Sequence, residues 1–252
     1  MIYLNLDLVA DYKSNSQKAR VITEPWALEN AFCPNCWNKI LKYPNNKAVA
    51  DFYCKKCKED YELKSWKTEK FSNMIMNGSY KTMIERLESS TSPNFFVLQY
   101  NKKLEVLNYL AIPKYFIRPE DIVPRKKWIP NRPNYIMCNI SMKWIPESWK
   151  IFYIKNWKSI DKKEVLHEWN KTIFLKEKKN IKSKGWILDI MKCIEMLNKK
   201  DFTLEEVYNF EPILKEKYPN NNFIKDKIRQ QLQFLRDKWY LEFVSSGKYR
   251  LL

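Results

Sequence analysis

Glycine is scarce in this chain: 3 of 252 residues, with neither GxGxxG nor GxxxxGK[ST] anywhere. Phosphate-cradling loops need glycine where backbone N–H groups approach a phosphate closely. Kinase, ATPase and Rossmann dehydrogenase readings are therefore excluded, and no nucleotide cofactor is expected. Histidine is nearly missing too. The single one, His167, lies in a helix-like stretch far along the chain, which leaves histidine-based nucleophilic or metal chemistry little to work with. No apolar run reaches the roughly 18 residues of a membrane span. The start, MIYLNLD, has no basic region leading into an apolar run, so it does not read as a signal peptide. These absences point to the cytoplasm, to no membrane contact, and to reduced cysteines.

Positive charge is abundant. Lys and Arg number 46 against 29 Asp and Glu, a net charge of +17. A surplus of that size favours a polyanionic partner, nucleic acid above all. It is uneven: residues 113–182 carry 17 basic and 7 acidic side chains, or +10, so phosphate contacts are expected in the middle of the chain. With 45% apolar residues the chain can bury a real core.

The order of elements reads as follows. Residues 14–31 form a helix, which Pro25 should bend or break. Residues 33–64 alternate strands with CxxC turns, and 71–88 read as helical with a weak point at Asn77-Gly78. FFVLQY (95–100) and LEVLNYLAI (104–112) are a hairpin or adjacent buried strands. Ile136–Ile140 and IFYI (151–154) are short strands, and 161–175 is an amphipathic helix with Val165, Leu166, Trp169 and Ile173 on one side. The basic stretch 176–184 reads as a linker. The expected domains are 1–180 and 183–252.

Two motifs carry chemistry. Cys33-Pro-Asn-Cys36 and Cys54-Lys-Lys-Cys57 are separated by 17 residues, a spacing that matches a closed, structural four-thiolate Zn2+ site rather than a redox pair. Cys138 and Cys193 sit in apolar surroundings and read as inert buried thiols. Around the second knuckle runs Asp51, then ten residues, then Glu62-Leu63-Lys64. If the knuckle tips a hairpin, Asp51 on the incoming strand faces Glu62 on the outgoing one, and strand alternation puts Lys64 on the same face as Glu62. Phosphodiester hydrolysis needs such a set. Asp51, Glu62 and the Leu63 carbonyl are hard oxygen ligands for Mg2+, and Lys64 can orient or deprotonate a water.

Residues 185–252 read as three helices and a terminal β-hairpin, a winged-helix pattern. The third helix carries Ile224, Ile228, Leu232 and Leu235 on one side and Lys225, Arg229, Gln230 and Gln233 on the other. Arg suits guanine and Gln suits adenine in the major groove. Lys227, Lys248 on the wing and the helix start near Asn220–Asn222 are candidate phosphate contacts.

These residues resemble the DpnI-type methyl-directed restriction endonucleases, a branch of the PD-(D/E)xK nuclease superfamily. The likeness is carried by YKSNSQKAR (12–20), CPNC (33–36), VADFYC (49–54), ELKS (62–65), NFF (94–96), CNI (138–140), KIRQQLQFLRDK (227–238) and GKYRLL (247–252), so it runs from end to end. The resemblance implies an α+β nuclease core with an embedded zinc site, followed by a winged helix. It implies Mg2+-dependent cutting of both strands of double-stranded DNA at GATC carrying N6-methyladenine, by a protein that is a monomer in solution. By position, catalysis falls to Asp51, Glu62 and Lys64, and zinc to Cys33, Cys36, Cys54 and Cys57. The chain departs from the pattern at Trp37, where a small residue is usual, and around Trp128–Tyr135, where Tyr135 replaces a tryptophan. A methyl on adenine needs an apolar surface, for which Trp128, Tyr135, Trp144 and Trp149 are candidates. Two alternatives stay open: a zinc-ribbon and winged-helix regulator that binds DNA without cutting it, and a nuclease that reads another site or modification.

Overall fold

The computed structural model describes residues 3–9, 12–44, 50–89, 91–126, 132, 134–177 and 181–252. They form two compact units: Met1–Lys143 with Ser148–Thr172, and Trp144–Glu147 with Ile173–Leu252. The protein is mixed α+β. Among the described residues no helix is long and apolar enough to cross a membrane.

In the first unit, α1 (Asn15–Asn30) starts where the Ser14 side chain accepts a hydrogen bond from Gln17 N, satisfying an otherwise orphaned N–H. The helix runs through Pro25 instead of breaking there. Burial of Ile22, Trp26 and Ala27 is the compensation: each large apolar side chain removed from water contributes about 1.5–3 kcal/mol, against about 3 kcal/mol for an internal proline. Strands β1 (Leu41–Lys42), β2 (Phe52–Tyr53) and β3 (Asp60–Lys67) follow, then β4 (Met74–Ser79) and α2 (Tyr80–Glu88). Next come β5 (Asn94–Tyr100), β6 (Val106–Ile112), β7 (Ile122–Pro124), β8 (Met137–Ser141), β9 (Ile151–Lys155), β10 (Lys158–Ser159) and α3 (Lys162–Asn170).

A seven-stranded sheet has the order β1-β2-β3-β5-β6-β9-β10, and a three-stranded one the order β4-β8-β7. In the large sheet β3 and β5 are parallel, with Lys64 opposite Val97, and the other neighbours are antiparallel. Every residue of β5 and β6 is buried, as their nearly unbroken apolar runs require. Tyr61 stacks on Phe96 at 4.5 Å between ring centroids, and Trp26 of α1 meets Tyr109 edge-on at 5.3 Å.

The parallel pair needs a crossover, and β4 with α2 supplies it. Residues 71–79 are thus not helical as their pattern implied. Met74–Ser79 pairs with β8, ladder partners that only the tertiary fold provides. The helix begins at Tyr80, where the Ser79 hydroxyl caps Thr82 N at 3.3 Å. Likewise α3 stops at Asn170, where the Thr172 hydroxyl turns back onto the Trp169 carbonyl at 2.7 Å. The basic stretch 176–184 is not a linker throughout, since a helix begins inside it at Ile181.

The second unit runs α4 (Ile181–Met196), β11 (Asp201–Thr203), α5 (Leu204–Tyr208), α6 (Glu211–Lys217), α7 (Ile224–Asp237), β12 (Leu241–Ser245) and β13 (Lys248–Leu251), with sheet order β11-β13-β12. This is a winged helix. Pro212 opens α6 rather than interrupting a longer helix, in keeping with its lack of an N–H. Ile224, Ile228, Leu232 and Leu235 of α7 are buried. The wing turns at Gly247, whose φ of +68° suits a residue without Cβ. Buried Asp189 of α4 pairs with Lys217 and accepts from the Tyr218 hydroxyl at 2.6 Å.

Candidate active site and DNA interface

The β2–β3 hairpin carries two sites. At its tip is the Cys54–Cys57 knuckle, and Cys33 and Cys36 come up beside it. The four sulfurs all lie within 4.8 Å of one another, with Cys33 3.3 Å from Cys57 and Cys36 3.4 Å from Cys54. A tetrahedral zinc with Zn–S bonds of about 2.3 Å would set the sulfurs about 3.8 Å apart, so the cluster fits that ion. Cys33 and Cys54 are buried, and Cys33 Sγ lies 3.1 Å from the Tyr61 hydroxyl. At Cys36 burial works against the thiolate. Hydrogen bonds from Asn38 and contact with Cys54 outweigh it and bring the thiol down to about 7, toward the form a metal binds. Cys138 and Cys193 stand apart from the cluster, both buried.

Immediately before β2, the chain brings Asp51 against β3. Asp51 N donates to the Tyr61 carbonyl at 3.0 Å, and Asp51 Oδ2 accepts from Leu63 N at 2.7 Å. Burial pushes the Asp51 carboxyl up; the Leu63 N–H opposes this, and the charges of Glu24 and Glu62 add to it. Lys64 Nζ donates to Glu62 Oε1 at 2.6 Å. The residues anticipated from the D…ExK spacing therefore meet: Asp51, Glu62, Leu63 and Lys64 line one open cleft of about 1140 Å³, together with Arg20 and Glu24 of α1. Glu62 Oε2 is buried and accepts no hydrogen bond among the described residues, although Arg86 Nη1 is 3.6 Å away. A buried carboxylate oxygen left short of a donor, beside the half-buried Asp51 carboxylate, is a donor set that fits a hard divalent cation.

Several cleft residues escaped the sequence reading. Glu24 is 5% exposed and bridges Arg20 at 2.5 Å and Lys42 at 2.7 Å; the Arg20–Glu24 spacing of four on a helix was its one visible signal. Asn77 and Arg86, which contact the cleft residues Lys64 and Glu62 from outside its lining, gave none, because they were assigned to a single helix.

On the second unit, Lys225, Arg229, Gln230 and Gln233 lie exposed on α7, and Lys248 is exposed on the wing. Lys227 is half-buried and donates to Gln230 Oε1 at 2.7 Å. Lys225 pairs with Glu211 at 3.7 Å, and the Arg229 guanidinium lies 5.6 Å from the Tyr208 ring centre. Of the aromatic candidates for a methyl group, Trp149 is 1% exposed and packs in the core, which removes it. Trp144 is half-buried under Lys217 at 4.8 Å, Trp128 lies outside the described residues, and Tyr135 is half-buried just before β8. A Cβ on Gly78 would meet the Tyr135 hydroxyl at 3.4 Å, an ordinary contact, so the two lie side by side.

A carboxylate–lysine cleft on an α+β unit, followed by a winged helix with a cationic face, defines the class of DNA-binding nucleases. Residues 1–178 match the DpnI model, described as the Dam-replacing family, and residues 182–251 match DpnI_C, the Dam-replacing HTH domain. The chain belongs to the DpnI family, which implies a restriction nuclease that binds DNA through its helix-turn-helix.

Proposed function

We propose that the chain is a type II, modification-dependent endonuclease that hydrolyses both strands of double-stranded DNA at GATC carrying N6-methyladenine. The observation that carries the reading is the meeting of Asp51, Glu62 and Lys64 in one cleft; the site and the modification rest on family membership. A regulator that only binds DNA would have no use for two half-buried carboxylates and a lysine beside a four-cysteine cluster.

Asp51, Glu62 and the Leu63 carbonyl would hold Mg2+. When bound, Mg2+ supplies positive charge to the phosphate undergoing attack and makes its water easier to deprotonate. The chain's own groups do the rest. Leu63 N–H fixes the Asp51 carboxylate, so its other oxygen faces a defined direction. Lys64, paired to Glu62, presents an ammonium where the attacking water and the non-bridging phosphate oxygens gather, and it orients that water or relays its proton. Cys33, Cys36, Cys54 and Cys57 would hold Zn2+, which would pin the hairpin that carries Asp51 and Glu62. Lys225, Arg229, Gln230 and Gln233 read base edges, Lys227 and Lys248 grip phosphates, and Tyr135 offers an apolar surface to the substrate. The functional domains are 1–180 for cutting and 183–252 for reading, acting in the cytoplasm as a monomer.

The test is digestion of one plasmid prepared with and without adenine methylation at GATC, with Mg2+ or with EDTA. Cutting of the methylated plasmid alone, and only with Mg2+, is expected. Cutting of both plasmids would discard the methyl dependence, and binding without any cutting would favour the regulator.

A further inference from the structure

Glu62 and Lys64 belong to β3, but groups that hold them come from the crossover that follows it. Asn77 lies in β4 where the ladder with β8 slips, between Asn77 and Ser79. Its side chain is 9% exposed. Asn77 Oδ1 accepts from Lys64 Nζ at 2.8 Å and from the neighbouring Gly78 N at 2.8 Å, while Nδ2 points at the Met83 sulfur at 3.2 Å. The two donors fix which end of the amide faces Lys64, because the nitrogen end accepts nothing. Arg86, on α2 of the same crossover, reaches within 3.6 Å of Glu62 Oε2.

A lysine side chain has four flexible carbons and loses about 2 kcal/mol of rotamer freedom when held in one place. A single partner, Glu62, would let the ammonium swing. A second acceptor, tied to the backbone through Gly78 N–H, confines it to the line between two oxygens. Misplacement by about 1 Å of a group near the reacting atoms can cost about 100-fold in rate. We propose that Asn77 is a positioning residue for the cutting reaction, its carbonyl oxygen holding Lys64 Nζ in the place where it acts. The inference rests on the nuclease reading above.

The experiment uses the full chain as wild type, Asn77→Leu, which keeps the volume and loses the acceptor, and Asn77→Asp, which keeps an acceptor. Three quantities are read for each: single-turnover cutting of a methylated GATC duplex with Mg2+, affinity for that duplex in EDTA, and melting temperature. Asn77→Leu is expected to cut about 10–100-fold more slowly while its affinity stays within about twofold of wild type. Asn77→Asp should recover most of the lost rate. A merely structural role would lower the melting temperature and leave the rate per folded molecule alone. Should Asn77→Leu fail to fold, Asn77→Ala takes its place and is read the same way. The inference is overturned if the leucine variant cuts at the wild-type rate, or if the aspartate variant is as slow as the leucine one. A wild-type protein that cuts nothing overturns the nuclease reading together with this inference; a cutting wild type beside an equally fast leucine variant overturns this inference alone.

Discussion

The four-cysteine cluster and the carboxylate–lysine cleft share one hairpin, yet they are organised in opposite ways. In the cluster the four ligands are alike, two of them buried and two half-buried, and already gathered within 4.8 Å. In the cleft they are of three kinds, they open onto a space of about 1140 Å³, and one carboxylate oxygen has no hydrogen-bond donor among the described residues. Four thiolates saturate a zinc ion and leave no position for a substrate, whereas two carboxylates leave most of a magnesium shell to water and phosphate. On the proposed function the work is divided: with zinc bound, the thiolate site would hold the β2–β3 hairpin in shape while the open cleft keeps room for a cation and substrate.

That division can be broken experimentally. The largest effect is expected from Lys64→Ala, which should abolish cutting while leaving affinity for DNA and the melting temperature near wild type. A variant that still cuts at the wild-type rate would remove Lys64 from the mechanism. Metal removal comes next. Purified protein should contain one zinc per chain, and stripping it with a strong chelator should lower the first unit's melting temperature sharply, because a structural zinc site contributes on the order of 10 kcal/mol. Magnesium should do little by comparison, adding about 1.4 kcal/mol at ten times its Kd. Calorimetry with each ion separates the two roles, and equal effects would erase the distinction between them. The smallest effect concerns the knuckle turns. Trp37 and Lys58, each directly after the second cysteine of a pair, have φ of 66° and 60°. Bulky side chains are strained there by about 1 kcal/mol, so Trp37→Gly should raise the melting temperature slightly without changing the cutting rate. A lower one would show that the half-exposed indole packs usefully where it stands.

Much of the winged helix was legible because it rests on local periodicity. The spacing of Ile224, Ile228, Leu232 and Leu235 marks a buried helix face, and all four are buried. β5 and β6 were equally plain, since strands buried on both faces must be apolar throughout. The stretch 71–88 was misread because Met74-Ile75-Met76 fits a helix as well as a strand, and its ladder partner β8 lies some sixty residues further on. That error concealed Asn77 and Arg86, whose relation to Lys64 and Glu62 exists only once β4 and α2 form the crossover. Glu24 was hidden for a similar reason: a glutamate in an exposed-looking helix turn says nothing of its burial against Lys42 and its proximity to Asp51.

By itself the sequence determined the chemistry available to this protein. Ligand types and short-range spacings are covalent facts, and they already specified a four-thiolate cluster, two carboxylates with a lysine, and a helix with one apolar and one cationic face. The tertiary structure alone decided which of these groups meet and which third parties hold them. Those contacts join residues far apart in the chain, and the free energy that orders them comes from burying a common core rather than from any local preference.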